Sequence, residues 1–337
     1  MLTMGSAPKV GLRLPVNISF PRLSLPWGGS AGSDGNAEDR TDDAASSKST
    51  SCAISWRQAE MVEGVFSYAV AGEGLPVLFL HGWGVSHRTY KSAIASLASI
   101  GCRVLAPAQP GFGGSPRLVA GERSFPVYAE WAARFLDAAG QKDPVTVIGH
   151  SFGGGVAIQV AHDFPEMVRL AVLCNPVGGP IRCGADGEIE LMARRPLWEW
   201  GQDLGTDLIA GSSVAKVLPA VAEGAMPNLL RNLPEVVKMV NVVRRADLMA
   251  ELERVSLAGT PVSIVWSDRD RLVPHGAVTG LCRAAGVQST VVEGSHTWLI
   301  AEPEMFAEVV LRILVDHGVD LELFSGDLGD LIGDTSP

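Results

Sequence analysis

Short apolar runs alternate with amphipathic stretches from residue 54 onward, and this alternation carries the fold. Ile54 to Met61 and Gly64 to Ala71 read as two strands joined across Glu63-Gly64. Val77-Leu78-Phe79-Leu80 follows, apolar at every position, as a strand covered on both faces must be. The spacing predicts a helix from Thr89 to Leu97 and a strand at Arg103-Val104-Leu105-Ala106. A second helix is predicted from Pro126 to Ala139, with Trp131, Phe135 and Leu136 on its apolar side. A β-branched run, Pro144-Val145-Thr146-Val147-Ile148, then precedes a helical pattern after Ser151 and a strand at Leu170-Ala171-Val172-Leu173. Segments alternating in this way predict a parallel sheet with helices on both faces.

Between Pro176 and about Leu257 the alternation stops. Leu191 to Leu208, Ser213 to Glu223 and Pro234 to Val255 have helical patterns, and no strand pattern intervenes. Pro234 suits the first position of a helix, where its missing N–H costs nothing. Strand patterns resume at Pro261 to Trp266 and Ser289 to Val292. The expected fold class is α/β: a mostly parallel eight-stranded sheet flanked by helices, with a helical cap inserted before the last two strands. The expected division is a disordered extension over 1–51, a core over 52–178 and 258–317, a cap over 179–257 and an acidic tail over 318–337.

Composition adjusts this picture at the edges. Residues 28 to 51 are rich in Gly, Ser, Asp and Ala and hold almost nothing to bury, which predicts disorder. No run reaches the ~18 apolar residues of a membrane span, so no transmembrane segment is expected. Residues 1 to 27 mix apolar residues with Lys9, Arg13, Arg22 and four prolines, a poor secretory signal. Their amphipathic character leaves weak peripheral membrane contact as a second reading of an otherwise cytoplasmic protein. A net charge of −10 argues against a nucleic-acid partner. The five cysteines are scattered, form no C-x-x-C and have no zinc spacing, so a reducing compartment and no structural metal are expected. Cys102 and Cys174 fall in or beside apolar runs and read as buried thiols.

The candidate chemistry lies just after the predicted strands, where an open parallel sheet binds its ligands. Gly149-His150-Ser151-Phe152-Gly153 fits G-x-S-x-G between a strand and a helix, the context of a nucleophile elbow. Ser151 would sit there on a strained turn with its hydroxyl exposed. His81-Gly82-Trp83-Gly84 follows the third strand and can turn backbone N–H groups toward a ligand. An acyl-transfer oxyanion needs two such donors, which points to Phe152 after the nucleophile and Trp83 in this loop. His81 reads as structural. Pro110-Gly111-Phe112-Gly113-Gly114-Ser115 matches neither a phosphate loop nor a dinucleotide fingerprint and reads as a tight turn beside the pocket. Asp268 and Asp270 follow the Val262 strand, and either carboxylate could orient an imidazole; a polar turn paired with Arg269 and Arg271 is the alternative. His296 follows the last strand, completing the order Ser…Asp…His.

Taken together and in order, these motifs resemble those of the α/β-hydrolase superfamily over roughly residues 54 to 317. The similarity is to the branch of lidded serine esterases, carbon–carbon bond hydrolases and cofactor-free haloperoxidases. It implies Ser151 as nucleophile, His296 as general base and Asp270 as the acid, because Asp270 stands three residues before Val273-Pro274. Ala108 occupies the place of the aspartate that usually opens the family's Asp-x-Pro-Gly-x-Gly turn, which puts the packing of that loop in question. The resemblance implies no cofactor and a small-molecule substrate. Apolar cap residues such as Met192, Trp198, Trp200, Met226, Leu230 and Met239 favour a carboxylic ester with a hydrophobic acyl or alcohol part. Carbon–carbon hydrolysis, perhydrolysis and a small-molecule receptor on the same scaffold are the alternatives. His150 stands where many carbon–carbon hydrolases have asparagine, which ranks that reading lower.

Overall fold

A computed structural model of the chain describes residues 53–118, 123–183, 189–209 and 214–319. The disorder expected over residues 1–51 lies outside the described residues, as do positions 320–337 of the acidic tail. The sheet is built from β1 (Ser55–Met61), β2 (Gly64–Ala71), β3 (Leu75–Leu80), β4 (Cys102–Pro107), β5 (Val145–His150), β6 (Val168–Cys174), β9 (Val262–Ser267) and β10 (Ser289–Val292). Their spatial order is β1-β2-β4-β3-β5-β6-β9-β10. β1 and β2 are antiparallel, as are β2 and β4, and every later pairing is parallel. This is the predicted eight-stranded, mostly parallel sheet.

Why the central strands read as unbroken apolar runs is clear from their packing. Leu78 and Leu80 face one side of the sheet with Val147, Leu173 and Ile264. Val77 and Phe79 face the other with Ile148, Val172 and Val265. The two-residue period sends alternate side chains to opposite faces, and here both faces are covered. On the first side lie α2 (Phe125–Ala138), α3 (Phe152–Asp163), α6 (Met249–Leu257) and α7 (His275–Ala285), contributing Phe135, Val156, Leu252 and Leu281. On the second lie α1 (Lys91–Ser99), α8 (Trp298–Ala301) and α9 (Pro303–Asp316), contributing Leu97, Leu299 and Phe306. Each such fully buried side chain contributes about 1.5–3 kcal/mol. Cys102 and Cys174 are buried free thiols, and burial pushes both up to about 12.

The insertion between β6 and β9 departs from the predicted pattern in detail. Its first part is a short antiparallel hairpin, β7 (Ile181–Cys183) with β8 (Ile189–Leu191), which no sequence periodicity signals at three residues per strand. α4 (Leu197–Ile209) therefore starts six residues later than the pattern from Leu191 suggests. The two helices expected on either side of residues 224–233 meet end to end, the first of them running on past Glu223 to a kink at Asn232, in α5 (Val214–Arg244). It contains Pro219, Pro227 and Pro234 and leaves helical geometry only at Asn232, with φ −142° and ψ 24°. Pro234 lies two residues past this break, in the first turn of the second helix, as expected of a residue whose missing N–H costs nothing there. The expected helix to Val255 is broken at 245–248, where Asp247 accepts the Met249 N–H at 3.4 Å and α6 begins. Among the described residues, no helix is long and apolar enough to cross a membrane.

Candidate active site

Ser151 links β5 to α3 with φ 55° and ψ −115°, a backbone conformation that an L side chain rarely adopts. Holding a non-glycine residue there costs about 1–3 kcal/mol, and the surroundings must over-determine it. They do. The Ser151 N–H donates to the Cys174 carbonyl at 3.0 Å, and the Ser151 carbonyl accepts from Gly154, Gly155 and Val177 at 2.9, 3.2 and 3.1 Å. The glycines of the motif are required by close approach: a Cβ on Gly149 would lie 2.2 Å from the Gly153 carbonyl oxygen, and one on Gly153 would lie 2.1 Å from that of Leu80. Both distances are far inside van der Waals contact, so strand and helix can cross here only without side chains.

The loops after β3, β9 and β10 converge on this turn. A Cβ on Gly82 would sit 3.6 Å from the Ser151 Cβ, which puts the Gly82-Trp83 backbone beside the serine. Phe152 is the first residue of α3, so its N–H has no intrahelical acceptor and lies at the positive end of the helix. His296 Nδ1 lies 2.8 Å from Asp270 Oδ2. Both side chains are buried. Of the two candidate carboxylates, only Asp270 touches the imidazole. Asp268 instead accepts the Gly294 N–H at 2.9 Å and faces Arg269.

Asp270 is an acceptor on all sides. Its Oδ1 takes the Leu272 and Val273 N–H groups at 2.8 and 2.9 Å, while Oδ2 takes His296 Nδ1–H and Asn175 Nδ2–H. With the proton of His296 on Nδ1, its Nε2 keeps a lone pair. Burial works to lower the His296 pKa. The Asp270 charge and hydrogen bond, joined by the charge of Asp207, outweigh burial and hold the imidazole above its ordinary value.

Neighbouring histidines have different roles. His150 is buried and neutral, its pKa held well below the usual range by burial and by the adjacent His296. Its Nε2–H donates to the His296 carbonyl at 2.9 Å, and its Nδ1 accepts the Tyr90 hydroxyl at 2.8 Å. Tyr90 Oη in turn accepts the Gly82 N–H at 3.1 Å. One hydrogen-bonded chain therefore ties the β3 loop, the elbow and the β10 loop together. His81 is structural, as expected: its Nδ1–H donates to the Gly82 carbonyl at 2.8 Å and its Nε2 accepts the Gln109 N–H at 2.9 Å.

These buried neutral imidazoles predict acid sensitivity. Burial lowers His81 to about 4 and His87 to about 3, and burial with the nearby His296 holds His150 well below its ordinary value despite the hydrogen bond to the His296 carbonyl. A lowered folded-state pKa gives stability that is present above the unfolded value near 6.5 and lost as pH falls toward the folded value. Each such histidine should therefore add up to about 1.4 kcal/mol of lost stability per pH unit below ~6.5. His296 has the opposite sign, stabilising below ~6.5 and losing that contribution as pH rises through its raised pKa. Denaturant midpoints measured from pH 7.5 down to 4.5 should fall steeply; a flat profile would contradict the neutral assignments.

Two residues of the site escaped sequence reasoning. Asn175, at φ 46° after β6, donates to Asp270 and to Ser267 Oγ at 2.7 Å and accepts the Trp298 indole N–H at 2.8 Å. The signal was available, because an Asn after a strand and before Pro176 is a residue that tolerates the left-handed region. Asp207, in the last turn of α4, accepts from the His296 and Thr297 backbone and carried no local signal.

The insertion is docked over this convergence through α5. Asn228 Nδ2 donates to the Gly84 and Val85 carbonyls at 3.0 and 3.1 Å, and its Oδ1 accepts the Gly113 N–H at 2.8 Å. Asn232 donates to the Gly111 carbonyl, and the Trp83 indole donates to the Val236 carbonyl at 3.0 Å. The Pro110 turn is thus a docking ledge, and Ala108 beneath it is buried, 3.0 Å from where a Gly113 Cβ would lie. An ion pair between the half-buried Arg123 and the buried Glu235 closes the side of this contact. Of the apolar residues of the insertion, Met192, Trp200 and Met239 are buried, whereas Trp198, Met226 and Leu230 are exposed. Beneath the insertion, Val177, Met192, Trp200, Val243 and Val273 line an apolar void of about 10 Å³. Among the described residues, no cluster of His, Cys, Asp and Glu has the make-up of a metal site.

A sequence model of the alpha/beta hydrolase family matches residues 77–309. A Mycobacterium phage D29 protein provisionally named a non-heme haloperoxidase is 26% identical over 259 residues, covering 74% of this chain and 90% of the phage protein. The pimeloyl acyl-carrier-protein methyl ester esterase of Aeromonas hydrophila is 29% identical over 253 residues, covering 71% of this chain and 95% of the esterase. Among solved structures, the meta-cleavage product hydrolase of Pseudomonas fluorescens IP01 superposes with a TM-score of 0.62 at 20% identity, over 77% of this chain and 97% of that one.

Proposed function

The chain belongs to the alpha/beta hydrolase family, and on that premise we propose that it is a serine hydrolase of carboxylic esters acting through Ser151, His296 and Asp270. The observation that carries this reading is the left-handed Ser151 at the strand-to-helix turn, together with a His296 imidazole whose Nδ1 is bonded to Asp270 at 2.8 Å and whose carbonyl is held by His150, the residue before Ser151. His296 Nε2 removes the Ser151 Oγ proton as Oγ attacks the ester carbonyl. The oxyanion is held by the Trp83 and Phe152 N–H groups. His296 returns the proton to the departing alkoxide, leaving an acyl-enzyme. A water deprotonated by the same Nε2 then releases the acid and restores Ser151. The apolar side chains that the insertion carries, Met192, Trp200 and Met239 among them, support a hydrophobic acyl or alcohol part.

A fluorophosphonate probe followed by peptide mass spectrometry tests the assignment. One phosphonylated residue is expected, Ser151, together with turnover of p-nitrophenyl esters that improves with chain length over the first few carbons. Labelling at another serine would overturn the nucleophile. Ligand-induced stabilisation with no turnover across esters, peracid formation and ring-cleavage products would replace the hydrolase with a receptor.

A further inference from the structure

Asp207 is a buried carboxylate in the insertion, in the last turn of α4. Among the described residues no lysine or arginine pairs with it. Its three donors all come from the loop that carries His296. Oδ1 accepts the His296 N–H at 2.7 Å, and Oδ2 accepts the Thr297 N–H at 3.2 Å and the Thr297 hydroxyl at 2.9 Å. Burying a carboxylate without a cation is expensive unless hydrogen bonds replace its water. Here that replacement comes from two consecutive residues after β10, 89 and 90 positions away in sequence. The loop in turn has no other carboxylate on its backbone at these positions: Asp270 meets only the His296 ring, and His150 only its carbonyl. The imidazole is thereby fixed from three directions, and one of them belongs to the insertion.

We propose that Asp207 is a positioning residue for the reaction: by gripping the backbone of His296 and Thr297 it makes the productive placement of the His296 imidazole depend on the seating of α4. The inference rests on the reading of His296 as the general base. It makes the insertion part of the catalytic apparatus as well as a cover. Charged and titratable groups facing His296 are Asp270 from the β9 loop, His150 from β5 and Asp207 from α4.

The test compares Asp207→Asn and Asp207→Ala with wild type for ester kcat and KM, the pH dependence of kcat, and the NMR titration of the His296 ring. Asp207→Asn keeps one acceptor oxygen but loses the charge and turns a donor toward Thr297. A fall of about 10- to 100-fold in kcat with little change in KM is expected, the scale for a displaced catalytic group. The His296 midpoint and the acidic limb of kcat should both move to lower pH, because a nearby negative charge is gone. Asp207→Ala should show the larger kcat loss. Wild-type kcat with an unmoved His296 midpoint would overturn the proposal, even if stability falls, since that is what a purely structural anchor gives. Should either variant fail to fold, Thr297→Val removes the hydroxyl donor alone; a several-fold loss of kcat supports the grip on the loop and unchanged kcat overturns it. Ser151→Ala, run in parallel, separates the two layers: if it keeps turnover the hydrolase reading fails, whereas the ring titration still reports whether Asp207 acts on His296.

Discussion

Replacing Ser151 with alanine is expected to lower kcat for p-nitrophenyl esters by about 10⁵- to 10⁶-fold while leaving the fold intact. The size of the effect follows from what the remaining groups can do. Without Oγ there is no acyl-enzyme, and His296 has no proton to collect. The Trp83 and Phe152 N–H groups would still stabilise an oxyanion formed by water, so a residual acceleration of about 10³–10⁴ over solution should persist. Alanine adds no atom at the elbow and must adopt the same φ of 55°, so it neither relieves nor adds backbone strain. Circular dichroism and denaturant midpoints should therefore match wild type closely. A variant that retains turnover within tenfold would remove Ser151 from the chemistry, whatever its geometry suggests.

Asp270→Asn is expected to cost about 10⁴-fold in kcat, through a tautomer and not through lost packing. Every neighbour of the Asp270 carboxylate is a donor: the Leu272 and Val273 N–H groups on Oδ1, and His296 Nδ1–H and Asn175 Nδ2–H on Oδ2. An amide can keep its oxygen on the two backbone donors only by turning its NH₂ toward Asn175 and His296. That NH₂ opposes the Asn175 amide donor. It also draws the His296 proton from Nδ1 to Nε2, the nitrogen that must accept from Ser151. Loss of the Asp270 charge further lets burial pull the His296 pKa down, so the acidic limb of any residual activity should move to lower pH. Pre-steady-state acylation kinetics across pH would reveal both effects. Acylation within tenfold of wild type would mean that Asp270 does not set the imidazole tautomer.

How far the sequence predicts such behaviour depends on the range of the interaction. The eight strands were legible because two-sided burial writes itself as continuous apolar runs, as in Val77 to Leu80. The elbow was legible because Gly149 and Gly153 are demanded by contacts within the motif or with the neighbouring strand β3. Asp270 was separated from Asp268 only by the family resemblance, in which the acid stands three residues before Val-Pro; the residues of the turn left both carboxylates open. Asp207 was not legible. It lies in an amphipathic helix whose polar positions look like solvent-facing ones, and only the tertiary docking of α4 turns it inward. The hairpin β7–β8 was too short for a two-residue period to declare itself. The break before α6 was hidden because residues 245–248 lack the glycine or proline that usually marks a helix end, and the turn is held by the Gly178 carbonyl on the Leu248 N–H.

The hydrogen-bonded chain from Gly82 through Tyr90 and His150 to the His296 carbonyl has a consequence for the identity of the base. Two imidazoles lie with ring centroids 4.7 Å apart, one of them on the residue before Ser151, which on proximity alone would give the site two interchangeable proton acceptors. Directionality removes the ambiguity. A carbonyl can only accept, so His150 must present Nε2–H to it, and the Tyr90 hydroxyl then occupies the remaining lone pair on Nδ1. His150 is left with no vacant basic nitrogen, and the sense of the chain, read from the Gly82 amide to the His296 carbonyl, singles out one of two adjacent histidines as the proton acceptor.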